Sequence, residues 1–406
     1  MLNLIKQLLA DAPVPFLPLG EVGSFVRGTS FQKKDLIESG TPAIHYGQIY
    51  TRYGICTQNS LSFVSESLAQ KARKAPPGSL IIATTSENDE DLCKAVVWLG
   101  HEEVAVSNHA CFYTHNLNPK YVGYFFQTDE FQKQKRRFIS GTKVKDINPK
   151  DLAKIEIPVP PMAVQEEIVR ILDKFTQLQA ELQAELHLRL KQYAYYRNAL
   201  LSPDHLTARG IPATWIPLGE VGEVRMCKRI LKNQTSENGE IPFYKIGTFG
   251  KDPDTYISGK LFEEYKKKYH YPSKGTILLS ASGTIGRSVI FDGEDAYFQD
   301  SNIVWIENNE SRILNKYLFY CYQIADWKVS KGGTIERLYN NDLKKTLIPL
   351  PFPNDREKSL AVQEEIVRIL DKFDTLVHSL SQGLPREIRL RQRQYAYYRN
   401  ALLTFR

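Results

Sequence analysis

The sequence predicts an α+β protein made of two mixed α/β globular domains, each followed by a long amphipathic helix. Residues 163–175 read AVQEEIVRILDKF and return unchanged at 361–373, while QYAYYRNALL at 192–201 returns at 394–403. Two matches of this length make the 406-residue chain a tandem duplication. Between the repeats, short β-branched or aromatic runs separated by turn residues predict strands.

Shared markers order each half in the same way. A PLGEVG motif opens each variable block, a tyrosine-rich helical segment and a Gly-Thr pair follow, and a proline-rich segment closes the block. Proline lacks a backbone donor and interrupts helices and central strands, so these prolines mark a boundary. The pattern predicts a first domain at 1–160, a helix at 161–201, a second domain at 202–353 and a second helix at 354–406.

After the prolines, apolar residues recur with the helical period along one stripe of each predicted helix. Roughly 38 residues at ~1.5 Å each give a rod of ~57 Å, and its stripe requires an equally long apolar partner. The other copy is the best candidate, which predicts a coiled-coil-like pair, whereas an ordinary core helix is the alternative. The residues predicted to pair the helices are Ile168, Leu172, Phe175, Leu182, Leu186 and Tyr193 in the first copy, and Ile366, Leu370, Phe373, Leu380 and Tyr395 in the second.

The two predicted helices differ in length. Sixteen residues separate the two repeated motifs in the first half, and twenty separate them in the second. Four residues add about one turn, or ~6 Å, so the pattern predicts a longer second rod whose apolar stripe stays in phase. Gly383 and Pro385 also predict a kink or brief break in this second helix.

The composition is that of a soluble globular protein, with 42% hydrophobic and 24% charged residues. No apolar run approaches the ~20 residues of a membrane span, and the N-terminal segment is a poor signal peptide. The five cysteines form no CxxC pair, so we expect a reducing, cytoplasmic setting. The net charge of +7 permits a polyanionic partner without requiring one.

The common motifs of catalysis and cofactor binding are missing from the sequence. It contains no GxxxxGKS/T phosphate loop, no GxGxxG after a strand, no GxSxG and no HExxH. Cys93, His101, His109, Cys111 and His115 cluster along the chain, but their spacing fits no common zinc site. We interpret them as small buried cysteines and turn histidines, and we expect no catalytic residue, metal site or bound cofactor in this chain.

Basic residues, which hold phosphates, occur near polar and aromatic residues, which read bases, in both variable blocks. Each cluster alone is better explained as a solvated face, but clusters at equivalent places in two modules favour phosphate contact. The turn at 282–290 that ends in Arg287 predicts either a phosphate or guanine contact or a plain hairpin. The nucleic-acid-binding candidates are Lys33, Lys34, Lys71, Arg73, Lys74, Lys135, Arg136, Arg137, Thr142, Lys143, Lys145, Arg225, Lys228, Arg229, Lys245, Arg287, Lys328, Lys331, Thr334 and Arg337.

The order PLGEVG, Gly-Thr, DLxKxxIPxP, QEEIVRILDKF and QYAYYRNALL, given twice, resembles the specificity (HsdS-type) subunit of type I restriction-modification systems. The resemblance covers essentially the whole chain. It implies two target-recognition domains, each reading one half of a bipartite, asymmetric DNA sequence. It also implies that the two helices pair antiparallel with pseudo-twofold, circular symmetry and set the unread spacer, since tetrad repeats such as LQAELQAEL (178–186) are associated with spacer length in the family.

The same resemblance implies the partners. They are double-stranded DNA, two methyltransferase (modification) subunits that methylate adenine, and restriction/translocase subunits. S-adenosylmethionine, ATP and Mg would be bound by those subunits and not by this chain, and no membrane is involved.

The residues leave three other hypotheses open. The chain could be the specificity subunit of a modification-only or differently organised nuclease system, a protein-only scaffold with two heads on a coiled-coil arm, or a stand-alone enzyme. Basic clusters at equivalent sites weigh against the scaffold, and the missing motifs weigh against the enzyme.

Overall fold

The computed structural model describes residues 13–329 and 336–405, together with Gln7 and Leu9. Its strands are β1 (Phe16–Pro18), β2 (Gly23–Arg27), β3 (Thr41–Ile44), β4 (Cys56–Thr57), β5 (Ser62–Val64), β6 (Lys74–Ala75), β7 (Leu80–Ala83), β8 (Thr85–Ser86), β9 (Ala95–Trp98), β10 (Val104–Val106), β11 (Ala110–His115), β12 (Lys145–Asp146), β13 (Glu156–Pro158), β14 (Ala213–Pro217), β15 (Val224–Arg225), β16 (Ile241–Tyr244), β17 (Tyr256–Ile257), β18 (Ile277–Ser280), β19 (Ser288–Ile290), β20 (Tyr297–Phe298), β21 (Ile303–Ile306) and β22 (Leu347–Pro351). Its helices are α1 (Leu19–Val22), α2 (Tyr46–Thr51), α3 (Glu66–Ala69), α4 (Pro119–Phe125), α5 (Asp129–Lys135), α6 (Pro149–Leu152), α7 (Met162–Leu200), α8 (Pro203–Ala208), α9 (Gly259–Lys268), α10 (Asn315–Tyr322), α11 (Asn340–Lys345), α12 (Arg356–His378) and α13 (Gly383–Leu403).

The chain divides into two compact units, and each unit takes helical segments from both repeats. Unit 1 contains the described residues up to Ala184 and those from Glu387 onward, whereas unit 2 spans Glu185–Arg386. Unit 1 therefore combines the first half of α7 with most of α13, and unit 2 combines the second half of α7 with α12.

Unit 1 is built on two sheets. The larger has the strand order β2-β11-β7-β9-β4, and the second has the order β5-β3-β10-β6. β11 pairs antiparallel with β2 and β7, whereas β3 and β10 run parallel. All four residues of β7 are buried, which explains why this strand reads as a continuous apolar run without alternation.

Unit 2 repeats this topology in a diverged sequence. The order β15-β21-β18-β19 matches β2-β11-β7-β9, and β17-β16-β20 matches β5-β3-β10. In both units the strand that precedes the AVQEEIVRILDKF motif pairs antiparallel with the first strand of the domain. These pairs are β13 with β1 and β22 with β14. The prediction of two mixed α/β domains in an α+β protein is confirmed, and the two domains share one frame.

Close backbone packing explains why the last glycine of PLGEVG persists in both copies. A Cβ atom on Gly23 would lie 2.2 Å from the carbonyl oxygen of Thr114, and one on Gly222 would lie 1.9 Å from that of Glu307. Contacts this short require the strands to separate, so only glycine fits at the point where β2 or its counterpart enters the sheet.

Polar groups of the repeated motif attach helix α7 to unit 1. Gln165 accepts a hydrogen bond from the Asn118 backbone amide at 2.9 Å and donates to the Pro160 carbonyl at 2.8 Å. Asp173 accepts from the Tyr124 hydroxyl at 2.7 Å and pairs with the Lys120 ammonium at 2.8 Å. Gln165 is buried and needs these bonds, because a buried amide without a partner destabilises the fold, whereas the carboxylate of Asp173 is partly exposed.

The same contacts recur in unit 2. Gln363 accepts from the Leu314 amide at 2.9 Å, and Asp371 accepts from the Tyr320 hydroxyl and pairs with Lys316 at 3.2 Å. Burial raises the pKa of the Tyr320 hydroxyl, as it does for Tyr124, so both phenols remain protonated donors. The identically repeated AVQEEIVRILDKF motif thus preserves a set of contacts between each helix and its domain.

Within each unit, two helices from different repeats pack antiparallel. In unit 1 the Phe175 ring stacks on Tyr398 at 5.5 Å, and Gln179 lies farther along α7 against the Arg391 carbonyl on α13. In unit 2 the equivalent rings, Phe373 and Tyr196, stack at 5.4 Å. The expected antiparallel pairing of the two copies is therefore confirmed in both units, and the aromatic pairs add to apolar burial at each seam.

The second helix is interrupted, as Gly383 and Pro385 predicted. α12 ends at His378, α13 begins at Gly383, and Gly383 adopts φ +71, which favours glycine. The non-helical link 379–382 contains four residues, the same number by which the second copy exceeds the first. The predicted break is therefore confirmed. The prediction that the four additional residues lengthen the rod by one helical turn was wrong, because four residues form the non-helical link.

The apolar stripe serves the domain cores as well as the helix pair. Ile168 and Leu172 are buried in the core of unit 1, and Ile366, Leu370 and Tyr193 are buried in that of unit 2. Phe175 and Tyr395 pack on the first core, Phe373 and Leu186 pack on the second, and Leu182 is half-buried. Leu380 was wrongly assigned to the pair, because it lies in the link and is 65% exposed.

The two tight glycines provide a stability test. Gly23→Ala and Gly222→Ala should each lower the free energy of unfolding by about 1–3 kcal/mol, because the new methyl group overlaps a strand carbonyl. Calorimetry or urea unfolding of the purified chain measures the change. Gly54→Ala and Gly247→Ala are matched controls, since a Cβ at either position meets no atom within 4 Å. Equal stability of the test and control variants would contradict the packing argument.

Candidate nucleic-acid interface

The ends of several strands bring separated basic residues together in unit 2. A cleft of about 660 Å³ is lined by Arg229, Lys232, Lys245 and Arg337, which come from three separate chain segments. Phosphate groups are held by such clusters, and base edges are read by the polar groups between them. The cleft also contains Gln299, Ser301 and Asn302 from the turn before β21.

Several cations of unit 2 have acidic neighbours. Arg225 pairs with Glu307 at 2.8 Å, Arg229 with Asp300 at 2.9 Å, and Lys245 with Asp254 at 3.0 Å. Arg229 and Lys245 remain substantially exposed in these pairs. Exposed pairs contribute only ~0–1 kcal/mol, so a phosphate can replace the carboxylate at small energetic cost.

The rim of this region carries exposed side chains that the sequence analysis did not select. Tyr339 is 56% exposed and lines a second depression of about 390 Å³ together with Met226, Ser301 and Arg337. Ser301 adopts φ +58, an uncommon conformation for a residue with a side chain. Aromatic rings beside guanidinium groups suit stacking on bases, and position after the Gly-Thr pair was the only sequence signal for Tyr339.

Unit 1 has a smaller cleft at the corresponding loops. Lys33, His45, Gln48 and Arg52 line about 490 Å³ at the start of α2. His45 Nδ1 accepts a hydrogen bond from the Gly47 amide, and burial together with the nearby His109 and Lys33 side chains lowers the pKa of His45. The imidazole is therefore kept neutral, as its capping role requires.

The other unit 1 candidates lie on separate surface segments. Lys34, Lys71, Arg73, Thr142 and Lys143 are exposed, and Lys74 and Lys145 are half-buried. The Arg73 guanidinium donates to the Arg27 carbonyl at 3.0 Å, and Lys145 lies 3.6 Å from Asp89.

Lys135 is not a phosphate contact. Its side chain is 0% exposed, and its ammonium donates at 2.7 Å to the carbonyl oxygens of Asp89 and Leu92. The prediction was wrong at this position because Lys135 lies on the inner face of α5. Burial also lowers the pKa of the Lys135 ammonium, which the two carbonyls hold in place.

Arg136 and Arg137, which follow Lys135, are exposed. Arg136 lines a depression of about 400 Å³ that also contains Asp89, Glu90 and Asp129. The surroundings of Arg136 are therefore acidic, which disfavours a phosphate at that surface.

The segment around Arg287 forms a hairpin. β18 and β19 pair antiparallel around it, and the Arg287 guanidinium donates to the Phe249 carbonyl at 3.0 Å. Lys228 is exposed with its ammonium 5.2 Å from the Tyr269 ring, and Lys328 is also exposed. Lys331 and Thr334 lie outside the described residues.

Comparison with known proteins identifies the family. The model of the type I restriction modification DNA specificity domain matches the chain twice, over residues 14–192 and 213–390. The chain belongs to this family of specificity subunits. The two matches begin at corresponding points of the two repeats, and each covers one variable block and much of the helical segment that follows it, as the tandem duplication requires.

Two relatives match large parts of the chain. A putative type I restriction enzyme specificity subunit of Haemophilus influenzae is 55% identical over 66% of this chain and 68% of its own. The specificity subunit of the Escherichia coli enzyme EcoR124I/EcoR124II is 32% identical over 100% of this chain and 97% of its own. The function shown by this membership is DNA sequence recognition within a type I restriction-modification system, and a non-DNA scaffold is not favoured.

Solved structures share the fold at low sequence identity. A chain from a study of complex assembly and conformational transition in a type I system has a TM-score of 0.61 and 17% identity, with 97% of this chain and 98% of that chain covered. The specificity subunit of M. genitalium has a TM-score of 0.50 and 14% identity over 97% and 96% of the two chains.

Two features are absent from the described residues. These residues contain no group of three or more His, Cys, Asp or Glu side chains arranged to hold a metal ion. No helix among them combines the length and the apolar character needed to cross a membrane.

The burial of Lys135 leads to a specific expectation. Lys135→Ala should lower the free energy of unfolding by about 1–3 kcal/mol, because the buried Leu92 carbonyl and the partly buried Asp89 carbonyl lose their donor. The salt dependence of DNA binding should stay that of the wild type, since no phosphate contact is lost. Lys133→Ala, an exposed lysine on the same helix, is the control for stability. If the variant kept its stability but bound DNA with a shallower salt dependence, Lys135 would be a phosphate contact after all.

Proposed function

We propose that this chain is the DNA-reading, non-catalytic subunit of a type I restriction-modification complex, in which each globular domain contacts one half of a bipartite, asymmetric site. The observation that carries the proposal is one sheet topology present twice, with diverged side chains at the strand ends. A shared frame presents both domains to DNA in the same way, while different side chains select different sequences.

The paired helices would set the unread spacer between the half-sites. α7 is one continuous helix of 39 residues, and the LQAELQAEL segment lies within it. Each added tetrad inserts about one turn, or ~6 Å, and rotates the following residues by only ~40°. The apolar stripe would stay nearly in phase, so the spacer could change while the packing is kept.

The spacer hypothesis can be tested with methylation-sensitive sequencing of host DNA. A host carrying this chain and its modification partner should show a bipartite motif, and inserting one LQAE tetrad after Glu181 should lengthen only the gap. Insertion of two residues at the same point is the contrast, because it rotates the stripe by about 200° and should abolish methylation. A contiguous wild-type motif, or a gap that ignores the tetrad, would refute the spacer.

Some residues that are identical in the two repeats are exposed to solvent, which supports a role of these helices in docking a partner subunit. The fold explains the buried repeated residues, but Tyr195 and its counterpart Tyr397 are 64% and 62% exposed. Leu188 and Leu390 lie seven residues earlier, on the same helical face, and are also exposed. We call Leu188 with Tyr195, and Leu390 with Tyr397, the duplicated aromatic faces. Two equivalent faces fit two copies of one partner, which we assign to two methyltransferase subunits.

Loss of the duplicated aromatic faces should reduce subunit assembly. Tyr195→Ala with Tyr397→Ala should remove both modification subunits from the co-purified complex, and either single substitution should leave one, because exposed tyrosines anchor interfaces. Size-exclusion chromatography with light scattering reports the stoichiometry. Leu347→Ala, which removes an exposed apolar side chain elsewhere in unit 2, is the control. A complete complex with the double variant would reject this surface.

The chemistry would belong to the partner subunits. The absence of nucleotide and nucleophile motifs in the sequence supports the assignment of S-adenosylmethionine, ATP and Mg to the methyltransferase and restriction/translocase subunits. The five cysteines are free thiols, which supports a reducing, cytoplasmic location. Methyl transfer by the purified chain alone would contradict this division of labour.

A further inference from the structure

His109 and Asn302 occupy the same position in the two domains. The His109 carbonyl accepts from the Thr84 amide at 2.8 Å, and the Asn302 carbonyl accepts from the Ala281 amide at 2.7 Å. Each residue immediately precedes the strand that is central to its sheet, β11 or β21. Each side chain bonds to a hydroxyl of the neighbouring strand end, His109 to Thr85 and Asn302 to Ser282. The equivalence is invisible in the diverged sequences.

Hydrogen bonding fixes which atoms His109 presents to solvent. The Thr85 hydroxyl donates to the Asp146 carboxylate at 3.0 Å, since a carboxylate can only accept. The Thr85 oxygen must therefore accept from His109 Nδ1, which lies 3.1 Å away. This bond selects the tautomer of the neutral imidazole in which Nδ1 carries the proton and Nε2 is left as an acceptor. The side chain is exposed, and the Tyr46 ring lies against it with centroids 5.3 Å apart.

The polarity is reversed in unit 2. The Ser282 hydroxyl donates to Asn302 Oδ1 at 2.8 Å, so the two N–H groups of Nδ2 remain the outward donors. Arg337 occupies the position in unit 2 that Asp146 occupies in unit 1. Arg337 forms an antiparallel β-bridge with Ser282, as Asp146 does with Thr85. Asn302 and Arg337 line the same cleft. Unit 1 thus presents acceptors, the imidazole and Asp146, where unit 2 presents donors, the amide and Arg337.

We propose that His109 and Asn302 are specificity-determining residues that read base edges at equivalent places in the two half-sites. His109 takes a donor-bearing edge, the exocyclic amine of adenine or cytosine, and Asn302 takes an acceptor-bearing edge, such as guanine O6 and N7 or thymine O4. Thr85 and Ser282 are positioning residues that orient these groups. The inference rests on the proposed function, because it assigns individual readers to the two half-sites.

The test exchanges the two side chains in the complete complex with the modification subunits. His109→Asn should change the preferred base at one position of a single half-site, and Asn302→His should change one position of the other. A mismatch at one specifically read base pair lowers affinity about tenfold or more, so each exchange should change the preference at its position by about that factor. The readout is the methylated motif from sequencing, together with competition binding by oligonucleotides altered at each position. Thr85→Val should relax the position governed by His109, because the ring loses its anchor.

Matched controls and outcomes separate the possibilities. His101→Asn and Asn309→His make the same exchanges at other exposed turns and should leave the motif unchanged. If His109→Asn abolishes methylation, a normal unfolding transition with retained low-salt binding to nonspecific DNA supports a lost base contact. Equal weakening for every sequence, or an unchanged motif in both exchange variants, overturns the inference while the proposed function stands. A wild-type complex without a bipartite motif would instead refute the proposed function itself.

Discussion

The attachment of the repeated helices to the globular domains is the constraint on which the rest of the structure depends. Gln165 and Asp173, with Gln363 and Asp371 in the second copy, bond to groups of the adjoining domain. A polar group taken out of water must find a partner, so the buried Gln165 and Gln363 cannot change alone without breaking these contacts. The repeated motif is preserved because it supplies one partner of each contact, and the same tyrosine position in each domain supplies another.

A rigid attachment allows the strand ends to diverge. Both sheets have the same strand order, and the polypeptide backbone therefore delivers equivalent turns to equivalent places. Side chains on these turns face water, where substitution costs little stability, as at Asp146 and Arg337. Such a frame can acquire a new binding preference without rebuilding a core, which suits a protein whose task is sequence recognition.

Charge along the sequence and charge on the surface differ in this protein. The run from Lys133 to Arg137 reads as a basic cluster, yet Lys135 is buried and Arg136 has acidic neighbours. The cleft of unit 2 shows the reverse, because Arg229, Lys245 and Arg337 are far apart in sequence and meet only after folding. Helical periodicity places Lys135 on a different face from its basic neighbours, and sheet topology brings the distant cations together.

The sequence by itself determined the duplication, the two α/β domains, the helical stripes, the break at Gly383 and the family, because these depend on local patterns and on long exact repeats. Only the tertiary structure decided that the four additional residues form a link, that Leu380 leaves the seam and that Lys135 is buried. It also showed that His109 corresponds to Asn302, because each side chain bonds to a hydroxyl at the equivalent strand end of its own domain. These outcomes depend on contacts between residues distant in the chain, for which a diverged sequence carries no periodic signal.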